Sequence, residues 1–99
     1  MKTLTLIIHA NDQQEVADAL RTLDPVKGFT FTHVEGHGAQ VGHDPFLSTR
    51  DKVVGYTPRV RVDTILDDQD VESVLAALRG RVGGQGIYWI APVERYDRL

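Results

Sequence analysis

The sequence contains no cysteine, one tryptophan and little excess of charge, with 14 acidic against 11 basic side chains among 99 residues. The lack of cysteine excludes a disulfide framework, thiolate zinc sites and thiol catalysis. The net charge of −3 argues against a phosphate-neutralising nucleic-acid surface. No apolar run approaches the roughly 20 residues of a membrane span, and the Met-Lys start lacks the apolar core of a signal peptide. These absences predict one soluble, cytoplasmic domain.

The first half of the chain carries the pattern of a strand, a helix and a second strand. Residues 3–9 alternate and then become apolar on both sides, as in a central strand. Asn11 or Asp12 is the expected helix cap, with a glutamine or glutamate three residues later. Asp24-Pro25 ends the helix, since the residue before proline avoids helical dihedrals. The β-branched and aromatic residues 29–34 predict the second strand. The helix presents one apolar stripe, formed by Val16, Ala19, Leu20 and Leu23.

The second half repeats this layout. Residues 59–66 alternate as a strand, and the acidic residues 67–70 suit a helix N-terminus. Gly80 is expected to close that helix as its C′ residue. Residues 87–91 predict the last strand. The apolar stripe recurs 55 residues after the first, at Val71, Val74, Leu75 and Leu78.

The element order βαββαβ with right-handed crossovers predicts a ferredoxin-like α+β sandwich, formed by a single domain over residues 1–99. In this fold two helices cover one face of the sheet. The first and last strands are nonetheless apolar on both sides, as at Leu6 with Ile7 and at Tyr88 with Trp89. The uncovered sheet face therefore predicts a homo-oligomer.

The connection between the second and third strands is too long for a minimal version of this fold. A hairpin loop usually has two to five residues, whereas residues 39–58 carry no clear helical periodicity. A loop of this length in a small domain is typically functional or interfacial, and a disordered insertion is the alternative.

Several short motifs, in order along the chain, resemble the PII signal-transduction superfamily. Residues 28–34 resemble its G-M-T-V-T-E-V strand, and residues 36–40 its G-F-G-R-Q turn. Gly42-His43 and Val53-Val54 stand where that family has G-H and V-V. Residues 58–62 resemble its P-K-V-K-I segment, and residues 80–84 the start of its G-K-I-G-D-G-K nucleotide loop. The likeness covers nearly the whole chain and is closest to a divergent PII-like branch.

The resemblance implies a homotrimer with a projecting T-loop at residues 39–58. Members of this superfamily bind adenine nucleotides in clefts between subunits, and the T-loop reports the ligand to a partner protein. The expected protein is thus a non-enzymatic regulator without catalytic residues, and a membrane transporter is its candidate partner. PII-like relatives are encoded beside inorganic-carbon uptake genes in some cases and beside heavy-metal efflux pumps in others. Neither nucleic-acid binding nor membrane insertion is expected.

Nine residues are the candidate nucleotide or anion ligands. Consecutive glycines between a helix and a strand can form an anion-binding nest of backbone amides, although an ordinary turn has the same composition. The glycines after the second strand could admit a ligand close to the backbone. Through the resemblance, the glutamine of that turn would help to hold a metal–oxoacid complex. The nine are Gly36, His37, Gly38, Gln40, Arg59, Val82, Gly83, Gly84 and Gln85.

Departures from the family pattern bear on the choice of ligand. Gln85-Gly86 stands where the nucleotide loop ends in glycine-lysine, Ala39 replaces an arginine, and Arg95 and Arg98 only loosely match a C-terminal arginine pair. Each loss removes a cation that would face phosphate oxygens. ADP or AMP is therefore expected rather than ATP, with bicarbonate or a divalent metal as further candidates. Lys52 occupies the position of the modified tyrosine, which excludes uridylylation there.

Three histidines support an alternative function as a metal-binding accessory to heavy-metal efflux. His33, His37 and His43 are spaced by four and six residues, which fits no standard closed motif. An acylphosphatase-like enzyme on the same fold lacks a visible nucleophile–base pair. An RNA-binding sandwich would need a basic aromatic strand motif, which is absent.

Overall fold

The computed structural model describes residues 1–37, 57–82 and 86–99. Its four strands form one antiparallel sheet in the order β2-β3-β1-β4. Two helices follow β1 and β3, so the structure confirms the ferredoxin-like βαββαβ order. The elements are β1 (Lys2–His9), α1 (Gln13–Thr22), β2 (Thr30–Gly36), β3 (Thr57–Leu66), α2 (Val71–Arg79) and β4 (Ile87–Pro92).

The core lies between the two helices and the central strands. Leu6 on β1 stands opposite Val62 on β3, and both side chains point toward the helices and are buried. The helical stripes pack onto this row, with Leu20 and Val16 at 0% exposure. Leu23 lies at the end of α1 and is partly buried against the same core. The predicted stripes therefore face the core, because a 3.6-residue period places their members on one side of a helix.

A 3₁₀ turn precedes each helix, and the cap of α1 differs from the prediction. A 3₁₀ turn, Ala10–Asp12, precedes α1, and Asp12 makes no side-chain capping bond. The His9 ring instead caps the turn, since its Nδ1 accepts a hydrogen bond from the Asn11 backbone N–H at 3.0 Å. A second 3₁₀ turn, Asp68–Asp70, precedes α2, again without a side-chain cap at Asp70. The capping-box prediction for α1 is thus wrong, because the tighter turn places the acceptor before the expected cap.

The end of α2 also differs from the prediction. Gly80 is the C-cap residue with φ −75° and ψ −12°, a right-handed helical conformation rather than the left-handed one expected of a C′ glycine. The backbone N–H groups of Arg81 and Val82 both donate to the Leu78 carbonyl, at 2.9 and 3.0 Å. The chain therefore leaves α2 through one further tight turn.

The T-loop predicted at residues 39–58 lies largely outside the described residues. The structure places its two ends on neighbouring antiparallel strands, with Gly36 opposite Thr57. Neither helix in the described parts of the chain is long and apolar enough to cross a membrane.

The face of the sheet that the helices leave open carries a polar network at its centre. The Thr5 hydroxyl donates to Asp63 Oδ1 at 2.8 Å, and Arg61 Nε donates to Asp63 Oδ2 at 3.0 Å. The Arg61 guanidinium also lies over the Trp89 ring, 5.6 Å from its centroid. Partial burial acts to raise the pKa of the Asp63 carboxyl, but the hydrogen bonds from Arg61 and Thr5 and the charge of Arg61 outweigh it and lower that pKa below its ordinary value.

Candidate functional site

One end of the sheet collects the predicted ligand residues that the structure describes. Arg59 on β3 pairs with Val34 on β2 and with His9 at the end of β1. β2 ends two residues further on, at Gly36, and His37 follows it. Val82 enters the same end from α2, since it lines a cleft with Ile87, the first residue of β4. Gly36, His37, Arg59 and Val82 thus lie toward the same end of the sheet, and their roles as ligands stay predictions.

The other predicted ligands lie outside the described residues. The segments that contain them are nevertheless anchored at this sheet end, since one runs from Gly36 to Thr57 and the other from Val82 to Gly86. These five predicted ligands are Gly38, Gln40, Gly83, Gly84 and Gln85. Their roles in ligand binding remain predictions.

The two anchored segments lie at opposite edges of the sheet within one chain. β2 and β4 are the edge strands, and β3 and β1 lie between them. Three steps of roughly 4.8 Å between neighbouring strands separate β2 from β4 by about 14 Å across the sheet. The predicted ligand residues thus form two groups: one around Gly36, His37 and Arg59, and the other around Val82.

Side-chain contacts fix the approach to the segment 83–85. Arg81 Nε donates to Glu15 Oε1 at 2.5 Å, which ties the end of α2 to α1. Arg79 Nη2 donates to the Tyr88 hydroxyl at 2.7 Å, which ties it to β4. Arg81 and Glu15 are 66 residues apart in sequence, so no local pattern indicated their contact. The residues that precede the predicted anion loop therefore contact both α1 and β4.

Gly86 occupies a position directly before β4 where the sheet leaves no room for a side chain. A Cβ atom at this position would lie 2.9 Å from the Ile7 carbonyl oxygen and 3.3 Å from Ile8 Cγ2. Real Cβ atoms essentially never approach a backbone atom that closely, so a side chain would push β4 away from β1. The absence of a lysine at this position, seen as a departure from the PII pattern, thus has a steric reason in this chain.

The structure gives little support to the predicted metal site formed by histidines. His33 lies on the same side of β2 as Glu35, because alternate residues of a strand share a face, and His37 directly follows the strand. His37 Nε2 lies 3.4 Å from Glu35 Oε2, and both side chains are exposed. Across residues 1–37, 57–82 and 86–99, no three histidine or acidic side chains form a group that could hold a metal ion. The third predicted metal ligand, His43, lies outside the described residues, and the metal-site alternative is not favoured.

Comparison with known proteins places this geometry in a family. Residues 1–99 match the DUF3240 family, described as a protein of unknown function. The nitrogen regulatory protein P-II of Azospirillum brasilense is 32% identical over 104 residues, covering 100% of this chain and 91% of that protein. The P-II protein of Rhizobium meliloti (strain 1021) is 33% identical with the same coverage. The chain belongs to the PII family, as a divergent PII-like member.

Further relatives agree with this assignment. The nitrogen regulatory protein GlnK of Escherichia coli (strain K12) is 30% identical, again over 100% of this chain and 91% of that protein. The crystal structure of a DUF3240 family protein from Shewanella baltica OS155 superposes with a TM-score of 0.81, at 19% identity, over 99% of this chain and 94% of the other. That likeness supports the fold. The protein is therefore a PII-like regulatory signalling protein, and a regulatory family favours a role without catalysis.

Proposed function

We propose that this PII-like protein is a sensor that binds an adenine nucleotide, ADP or AMP, in clefts between copies of the chain. The observation that carries the proposal is the separation of the two predicted ligand groups at opposite edges of one sheet. A single chain holds them too far apart to serve one phosphate group. Two copies that meet edge to edge would bring the Gly36 group of one beside the Val82 group of the other.

The open face of the sheet supports assembly of the chain into a homotrimer, as the resemblance to PII proteins implies. Ile87 and Trp89, two residues apart on β4, are 62% and 41% exposed. Large apolar side chains that remain exposed on a flat sheet favour contact with another protein surface. A second and third copy of the same chain are the simplest partners.

The charges near the site support a diphosphate or monophosphate over a triphosphate. Two arginines close to this sheet end are already paired, Arg61 with Asp63 and Arg81 with Glu15. Position 86 has no room for a side chain, which excludes a lysine ligand there. Fewer cations remain to face phosphate oxygens, and charge-assisted contacts are the strong ones.

Calorimetry on the purified oligomer with ATP, ADP and AMP tests the nucleotide. We expect saturable binding of ADP or AMP and weaker binding of ATP. An Arg59→Gln variant should lose about tenfold in affinity, the size of one charge-assisted hydrogen bond. Arg21→Gln is the matched control and should bind as the parent does, because Arg21 is an exposed arginine of α1 that pairs with Asp18. Tighter binding of ATP, or no nucleotide binding, contradicts the proposal.

The output of the sensor would run through residues 39–58 to a partner protein, for which we infer a membrane transporter in inorganic-carbon metabolism. The support is the resemblance to PII proteins together with the anchoring of this loop beside the first ligand group. A switch of this kind requires that the ligand bind two loop states with different affinity. Bicarbonate belongs in the same ligand series, and co-purification of transporter proteins with the chain should change when ADP is added. Co-purification that is identical with and without every ligand would remove this part of the proposal.

A further inference from the structure

An apolar cleft opens between the end of α2 and the start of β4, on the helix side of the sheet. Its volume is about 190 Å³, and the residues that line it include Leu6, Ile8, Leu75, Leu78, Val82 and Ile87. At roughly 30 Å³ for a small group, this is room for about six carbon-sized groups. The buried core lies beneath the cleft. At this position the helices do not cover the sheet completely.

The opening of the cleft carries one cation and one hydroxyl. Arg79 Nη2 donates to the Tyr88 hydroxyl at 2.7 Å, and the guanidinium lies 5.3 Å from the centroid of the Tyr88 ring. Both residues line the cleft. Within the described residues no carboxylate pairs with Arg79, whereas Arg61 pairs with Asp63 and Arg81 with Glu15. Arg79 therefore keeps donors available at the edge of an apolar space.

We propose that this cleft binds a small monocarboxylate with an apolar chain or ring of about six carbons. The carboxylate accepts hydrogen bonds from the Arg79 guanidinium and the Tyr88 hydroxyl, and the apolar part lies among the leucine and isoleucine walls. Charge decides the class of ligand, since an apolar pocket with a single cation at its rim complements an amphipathic anion. The cleft shares Val82 with the second predicted ligand group, but a nucleotide is too large and too polar for this space, so hexanoate binding is testable whether or not a nucleotide binds.

The test is a titration of the full ¹⁵N-labelled chain with sodium hexanoate, followed by amide chemical shifts. We expect saturable shifts around Leu75, Leu78 and Ile87 with an affinity near the millimolar range, the scale for a ligand of this size. Shorter acids should bind about fourfold more weakly for each methylene removed, which is the factor for burial of one methylene group. Sodium chloride at the same concentration measures the effect of ions alone.

Two variants separate recognition of the carboxylate from nonspecific apolar contact. Arg79→Gln should weaken hexanoate about tenfold and leave 1-hexanol unchanged, and Tyr88→Phe should weaken hexanoate by a smaller factor. Arg21→Gln is the matched control, because Arg21 is an exposed helix arginine that pairs with Asp18 instead. The proposal is overturned by hexanoate shifts that never saturate, by equal affinity in Arg79→Gln, or by shifts confined to the Trp89 face. It is equally overturned if a second copy of the chain fills the cleft and keeps hexanoate out.

Discussion

The side chains on the two faces of the sheet are buried by different kinds of groups. On the helix side, Leu4, Val60 and Val62 are fully buried by side chains from the same chain. On the open side, Thr5 is also buried at 1%, but its cover consists of Asp63, Arg61 and Trp89, which remain partly exposed. One face is therefore complete within the monomer. The other is a polar centre with apolar surroundings, which a second surface could complete.

The largest expected effect concerns the covered face. Leu20→Ala removes a leucine with 0% exposure from the core and should lower the free energy of unfolding by about 2–5 kcal/mol. Chemical denaturation at equilibrium measures this change. Leu99→Ala is the matched control, since the same truncation at a fully exposed residue should be nearly neutral. Equal losses for the two variants would mean that the helix-covered core is not where the stability of the fold resides.

The next effect concerns the open face. Trp89→Ala removes the largest exposed apolar group of that face and should weaken self-association by about 2 kcal/mol or more, as for an aromatic residue central to an interface. Light scattering after size exclusion should then report a lower mass, while circular dichroism retains the parent spectrum. Tyr96→Ala, another exposed aromatic outside the sheet, is the control. An unchanged oligomer mass for Trp89→Ala would contradict the assignment of the open face to self-association.

The smallest effect concerns the polar centre of the open face. Asp63→Asn removes the charge that Arg61 and Thr5 contact, and the cost should be about 1 kcal/mol, since the pair is only partly buried. The pKa of Asp63 is lowered in the folded chain. Its contribution is therefore present above the unfolded pKa of about 4 and is lost as the pH falls through the lower folded value. Denaturation between neutral pH and pH 3 should show a shallower loss of stability for Asp63→Asn than for the parent. Parallel curves would contradict this assignment.

Much of the fold could be predicted because its signals are local. The strand and helix positions follow from hydrophobic periods of two and 3.6 residues, and each observed element lies within a few residues of its predicted span. The helix starts were predicted less well, because the His9 ring acts as a cap before the acidic residues that the pattern favoured. The motif order named Gly36, His37, Arg59 and Val82 as candidate ligands, and the structure places them toward one end of the sheet. Their division between two edges did not follow from the motif order.

The amino-acid sequence by itself determined the element order, the apolar stripes of both helices and the resemblance to PII proteins, because these are patterns within short stretches of chain. Only the tertiary structure decided which distant residues meet. Glu15 contacts Arg81, Gly86 lies against the Ile7 carbonyl, and Arg79 stands at the rim of an apolar cleft. These contacts depend on strand register and on how the helices lie across the sheet, and no local period encodes either. For the same reason only the structure placed the two predicted ligand groups at opposite edges of the sheet.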